Sequence, residues 1–186
     1  ATLWGLGAGG QNATTSATVR GTTAIGDGAL NALTAATGNT AVGYRAGYAM
    51  TADASFNSLL GYEAGYYATT SSGNVAIGYR ALKGSTASNW TNPNTAIGYT
   101  ALTANTTGAY NTAIGQNALA ANTTGSASVA IGTFALQNST TGSNSAVGYN
   151  ALATCTTCGS NAAFGNSALA TLSNGQDNTA FGNSSQ

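Results

Sequence analysis

A large apolar residue stands immediately before a glycine ten times along the chain. The pairs are Ile25-Gly26, Val42-Gly43, Leu60-Gly61, Ile77-Gly78, Ile97-Gly98, Ile114-Gly115, Ile131-Gly132, Val147-Gly148, Phe164-Gly165 and Phe181-Gly182. The steps between these glycines are 17, 18, 17, 20, 17, 17, 16, 17 and 17 residues, so a repeat organises the whole chain. The flanks repeat with it. Alanine stands two before the glycine in nine of ten copies, Leu59 being the exception, and three after it in nine of ten. Leucine stands four after it in seven copies: Leu30, Leu82, Leu102, Leu119, Leu136, Leu152 and Leu169. Asparagine stands four before it in eight: Asn39, Asn57, Asn74, Asn94, Asn111, Asn144, Asn161 and Asn178. The unit is Asn-Thr-Ala-Ile-Gly-x-x-Ala-Leu, followed by a polar linker such as Asn105-Thr106-Thr107-Gly108. Thr2-Leu3-Trp4-Gly5 keeps the same register. Residues 1–20 therefore read as a degenerate first repeat and residues 21–186 as a domain of ten coils.

A unit of this length is too short for a helical repeat, which needs about 30 residues or more. Alternation around the glycine is strand-like, with Thr and Ile on one face and Asn, Ala and Gly on the other. The glycines and Thr-Thr-Gly segments read as turns. Each unit is expected to form one coil of an all-β solenoid of about 17 residues per coil, with two short strands and two turns. Coils stacked at about 4.8 Å would build a rod of about 50 Å. A triangular hexapeptide helix would need three large apolar positions per coil, six apart. Here there are two, Ile and Leu, five apart, and a flattened roll fits better. Two such residues make a thin core. Chains are therefore expected to associate side by side and share it, as a parallel homotrimer.

Charge narrows the function. Only Arg20, Arg45, Arg80, Lys83, Asp27, Asp53, Glu63 and Asp177 carry formal charge, the net is zero, and histidine is absent. An ordinary domain has about a quarter charged residues. Without a concentrated basic surface no nucleic-acid partner is expected. No apolar run approaches the roughly 20 residues of a membrane helix, and no membrane insertion is expected. Without histidine neither a Ser-His-Asp nor a Cys-His arrangement can form. The carboxylates are scattered, and no phosphate-binding loop or metal-ligand cluster is present. An enzyme is excluded on this reading, and neither a cofactor nor a metal is expected.

In a stacked solenoid, equivalent positions lie one above another. The asparagines four before the glycine are expected to form a hydrogen-bonded ladder. Tyr44, Tyr62, Tyr79 and Tyr99 follow four consecutive glycines, with Tyr149 at a later one, and are expected to stack. Such a stripe can rigidify the rod or bind sugar rings, and stacking alone accounts for it. Arg45, Glu63 and Arg80, two after successive glycines, predict a vertical ladder of alternating charge. The one long coil carries Lys83 to Pro93. Its insertion makes Lys83 and Trp90 the receptor-contact candidates, the alternative being that Trp90 folds back over the solenoid. Cys155 and Cys158 replace the Asn and Gly of a turn. A disulfide within that turn is the first reading and pairing between chains the second.

The motif resembles the head repeats of trimeric autotransporter adhesins. Asn74-Val75-Ala76-Ile77-Gly78 and Ser128-Val129-Ala130-Ile131-Gly132 carry the likeness most closely. The longer form, Asn111-Thr112-Ala113-Ile114-Gly115-Gln116-Asn117-Ala118-Leu119, is similar to repeats of bacteriophage tail-fibre proteins. The resemblance implies a left-handed parallel β-roll. It also implies a structural fibre segment of a phage tail fibre or surface adhesin. Such a segment is extracellular, on a virion or cell surface, and acts as a stiff spacer that can meet a host glycan or protein receptor. The first alternative is a self-assembling extracellular filament, since both termini fall within the repeat register. A glycan- or ice-binding solenoid ranks below it, because the Thr-Thr pairs fall in turns.

Overall fold

The computed structural model describes residues 1–9, 19–85 and 93–186. Eleven three-residue strands follow one another along the chain. They are β1 (Thr2–Trp4), β2 (Thr23–Ile25), β3 (Thr40–Val42), β4 (Ser58–Leu60), β5 (Val75–Ile77) and β6 (Thr95–Ile97). The rest are β7 (Thr112–Ile114), β8 (Val129–Ile131), β9 (Ser145–Val147), β10 (Ala162–Phe164) and β11 (Thr179–Phe181). All pair in parallel, each with its sequence neighbours, to form one 11-stranded sheet. The repeat sets the register: Thr112, Ala113 and Ile114 lie opposite Val129, Ala130 and Ile131. Thr2 likewise lies opposite Thr23. The protein is a parallel β-solenoid of about ten turns.

The glycine after each strand from β1 to β10 leaves no room for an alanine. Gly115 has φ +132°, and a Cβ there would lie 2.6 Å from the carbonyl carbon of Gly132 on the next coil. Backbone therefore packs on backbone along the whole rod at this corner. Further corners are made by non-glycine residues at positive φ. Leu102, Leu119 and Leu136 adopt φ of 50–52°, and Thr100, Asn117 and Phe134 adopt φ of 51–62°. Left-handed backbone is disfavoured for such residues. Here the N–H of the left-handed residue itself bonds to a neighbouring coil, as in Leu119 N–H to Ala135 O at 3.1 Å.

Two expectations require correction. One strand forms per coil instead of two. The leg carrying Ala and Leu is held by backbone bonds between coils, but its left-handed corners break the extended geometry. Among the described residues, the one β pairing outside the strands is the isolated bridge Gly159 to Gln176, two residues before Asn161 and Asn178 and not on this leg. The second correction concerns the core. Its walls are the alanines two before and three after the glycine and the leucines four after it, all buried. The residue immediately before the glycine points outward instead, with Leu60 50% and Phe181 69% exposed. The interior is narrow, and alanine, not isoleucine, fits on the strand's inner side. A further inner column lies seven residues after the glycine. It runs Leu33, Met50 and Ala68 in the early coils and Asn105, Asn122, Ser139 and Cys155 later, all buried.

Candidate functional site

Two features of the molecule carry chemistry at the surface, and two more hold its interior. The interior asparagine row is continuous over five coils, Asn39 to Asn111. The backbone N–H of Asn57, Asn74, Asn94 and Asn111 each donates to the side-chain oxygen of the asparagine one coil before, at 2.9 Å. Ser128 N–H donates to Asn111 Oδ1 at 3.0 Å, and Asn144 N–H donates to the shorter Ser128 side chain at 3.3 Å. The row resumes from Asn144 to Asn161 at 3.1 Å and on to Asn178 at 2.9 Å. The side-chain nitrogens donate to turn carbonyls, as in Asn111 Nδ2 to Gly125 O at 2.8 Å. Asn39 to Asn161 are buried, so this row satisfies backbone and presents nothing to a ligand.

The later inner column explains the cysteines. Asn122 clasps its turn, donating from Nδ2 to Gly125 O at 2.9 Å and accepting from Gly125 N–H at 3.0 Å. Asn105 donates to Gly108 O at 2.9 Å in the same way. At the equivalent place Cys155 and Cys158 form a disulfide, both sulfurs inside the coil and the Cα atoms 5.6 Å apart. The covalent bond stands where its neighbours use a hydrogen-bonded clasp. The recurring Asn of Asn-Thr-Thr-Gly was the available signal for this column, but turn chemistry explained it without burial.

At the surface, a block of aromatic and charged side chains covers the coils of β3 to β6. Tyr44, Tyr62, Tyr79 and Tyr99 stack with centroids 5.0, 5.2 and 5.0 Å apart. Beside them Tyr48 stacks on Tyr66 at 5.0 Å, a column absent from the sequence reading. Tyr149 stands apart, edge-on to Phe134 at 5.9 Å.

The charge ladder forms differently from expectation. Glu63 Oε2 accepts from Arg80 Nε at 2.8 Å and from Lys83 Nζ at 2.9 Å. Arg45 makes no ion pair with Glu63. Its guanidinium lies 5.0 Å from the Tyr44 ring centre and 5.2 Å from that of Tyr48. Lys83 takes the place expected for Arg45 because it reaches Glu63 from the neighbouring column, five after its glycine. Glu63 is only 7% exposed. Burial pushes its pKa up, but hydrogen bonds and charge from Lys83 and Arg80 outweigh burial and hold it below the usual carboxylate value. Trp90, the other receptor-contact candidate, lies outside the described residues.

The second surface feature is the outer face of the sheet, with two side-chain columns and no charged residue in either. One is the apolar column from Ile25 to Phe181. The other is mostly Thr, Ser and Val, as in Thr95, Thr112, Val129 and Ser145. Phe164 and Phe181 stack at 5.0 Å at one end of the apolar column. Among the described residues there is no concave pocket and no grouping of three or more His, Cys, Asp or Glu side chains. No helix among them is long and apolar enough to cross a membrane. No family model, curated protein or solved structure matches the chain.

Proposed function

We propose that the chain is a structural fibre segment of a phage tail fibre or surface adhesin, extracellular and without catalytic activity, in which parallel copies form a trimer. The observation that carries this reading is the outward apolar column. Isoleucine, valine, leucine and phenylalanine line one edge of the sheet for its full length, about 50 Å at the interstrand spacing, without a charge among them. Extended exposed apolar surface marks an interaction site. A partner that covers such a strip must repeat at the same spacing over many coils, and other copies of this chain do. Laid in parallel about one axis, three copies bring equivalent residues of this column together and bury them in a second core shared between chains. The stacked coils then act as a stiff spacer, and the side chains facing away from the axis are free to touch a host surface.

The test is the native mass of the purified chain by light scattering, with Ile114→Lys as the companion variant. Three chains for the wild type and one folded chain for I114K are expected, with the β-sheet circular dichroism signal retained. A wild-type monomer overturns the shared core. Polymers of indefinite length point to the filament instead.

A further inference from the structure

We propose that the tyrosine–arginine block on the coils of β3 to β6 is a binding site for an acidic polysaccharide. This names the chemistry of the host-surface contact in the fibre reading and rests on that reading for its biological setting, although the site lies within one chain.

The fold does not require the block. At the same three positions a later coil carries Gln116, Asn117 and Ala120, and stacks equally well. Here those positions hold six of the chain's nine tyrosines, with Tyr67 adjoining as a seventh, together with three of its four basic residues, Arg45, Arg80 and Lys83. Against them stands one internal carboxylate, Glu63. Asp27 lies at the β2 edge of the block without an ion pair to Arg45. The block is thus a positive surface on a chain with almost no other charge.

Its cations are held in place with donors to spare. The Arg45 guanidinium makes ring contacts and no hydrogen bond or ion pair among the described residues. Arg80 is fixed by Nε on Glu63 and by the Tyr79 ring at 5.0 Å, which leaves its two terminal nitrogens for an anion. Guanidinium groups so fixed lose little freedom on binding a carboxylate. The tyrosine faces cover one another within their columns. The block therefore offers ring edges and phenol hydroxyls, which hydrogen-bond to sugar hydroxyls, and not open faces for sugar stacking.

Spacing selects the polymer. Arg45 and Arg80 lie two coils apart, about 10 Å at the interstrand rise. That step matches one disaccharide of an extended chain with an acidic sugar at every second position. Side chains on one face of an extended peptide recur at about 7 Å, out of step with the coils. Nucleic acid needs a denser basic surface.

The experiment measures binding of the native protein to immobilised hyaluronan, an alternating acidic polysaccharide, with dextran and poly-L-glutamate as comparators. Binding to hyaluronan above both comparators is expected, weakening as salt is raised. Arg45→Gln is expected to weaken it at least tenfold with the β-sheet signal unchanged, while Arg20→Gln leaves it intact. Equal binding to dextran or polyglutamate, no binding to hyaluronan, or an unaffected R45Q variant overturns the inference. Native mass is read on the same samples. Trimers that ignore hyaluronan overturn this site alone, whereas monomers that bind it through Arg45 keep the site and overturn the shared core.

Discussion

Leu59 fills the space that a side chain on Gly65 would occupy. A Cβ on Gly65 would lie 2.8 Å from one δ-methyl of Leu59, and a Cβ on Gly47, one coil earlier, would lie 2.8 Å from the other. Gly47 and Gly65 stand where other coils carry the core leucine, and Leu59 stands where other coils carry alanine. Three departures from the repeat thus form one compensated group that keeps the interior full.

Leu59→Ala is expected to destabilise the fold by about 2–4 kcal/mol, the range for a cavity left by a buried leucine. Gly65→Leu alone overpacks the site, at about 1–3 kcal/mol. Together they restore the common pattern, because Gly65 has φ +60° and the core leucines already adopt φ of 49–52°. The double variant should cost far less than the sum. Urea denaturation of the four proteins measures the coupling, and additive losses would show that the two positions do not share space.

The asparagine row makes a pair of opposite predictions. Asn57 accepts from both nitrogens of Asn74 and donates to Ser71 O at 2.8 Å. Asn57→Ala orphans several buried groups at roughly 1–3 kcal/mol each, so a loss above about 3 kcal/mol is expected. Ser128→Asn closes the long link at 3.3 Å and should add up to about 1 kcal/mol. Thermal and urea midpoints of both variants check the directions.

Glu63 ties stability to acid. Its folded pKa is depressed, so its contribution is full above the unfolded value near 4.3 and is lost as pH falls through the lower folded value. Glu63→Gln should therefore cost about 1–2 kcal/mol at neutral pH, discounted from a fully buried pair because Arg80 and Lys83 remain partly in solvent. The difference between wild type and E63Q should narrow as pH is lowered below the usual glutamate range. Denaturation at a series of pH values reads the gap directly, and a constant gap would contradict this account.

The disulfide closes a loop of four residues, for which loop entropy gives about 2 kcal/mol. The double variant Cys155→Ser, Cys158→Ser should lose about that amount. Cys155→Asn with Cys158→Gly rebuilds the clasp of Asn122 and Gly125 and should recover part of the loss. Chemical denaturation without reductant compares the three proteins.

What the sequence disclosed follows from the way a solenoid stacks. Vertical neighbours are copies of one position, so spacing alone placed the strands, the asparagine row and the Tyr44-to-Tyr99 column. It could not say which face of Thr-Ala-Ile turns inward, because alternation defines two faces and the width of the cavity chooses between them. Ile25 and its equivalents therefore read as core along the sequence and face outward in the fold. Lateral contacts were equally hidden. Lys83 meets Glu63, and Arg45 meets Tyr48, across columns whose separation depends on the left-handed corner between them. Leu59 departs from the repeat along the sequence, and only its contact with Gly47 and Gly65 in three dimensions accounts for it.

The asparagine row has a direction. In every link but the one through Ser128, the side-chain carbonyl faces the following coil and the N–H of that coil faces back, so the amide dipoles lie head to tail and add. A rod with no net charge and few ionised groups thereby acquires electrically unlike ends, with little competing charge to mask them. Copies lying side by side in the same sense sum this moment, and copies in opposite senses cancel it. An oriented electric field therefore distinguishes the two arrangements by how strongly the particles align.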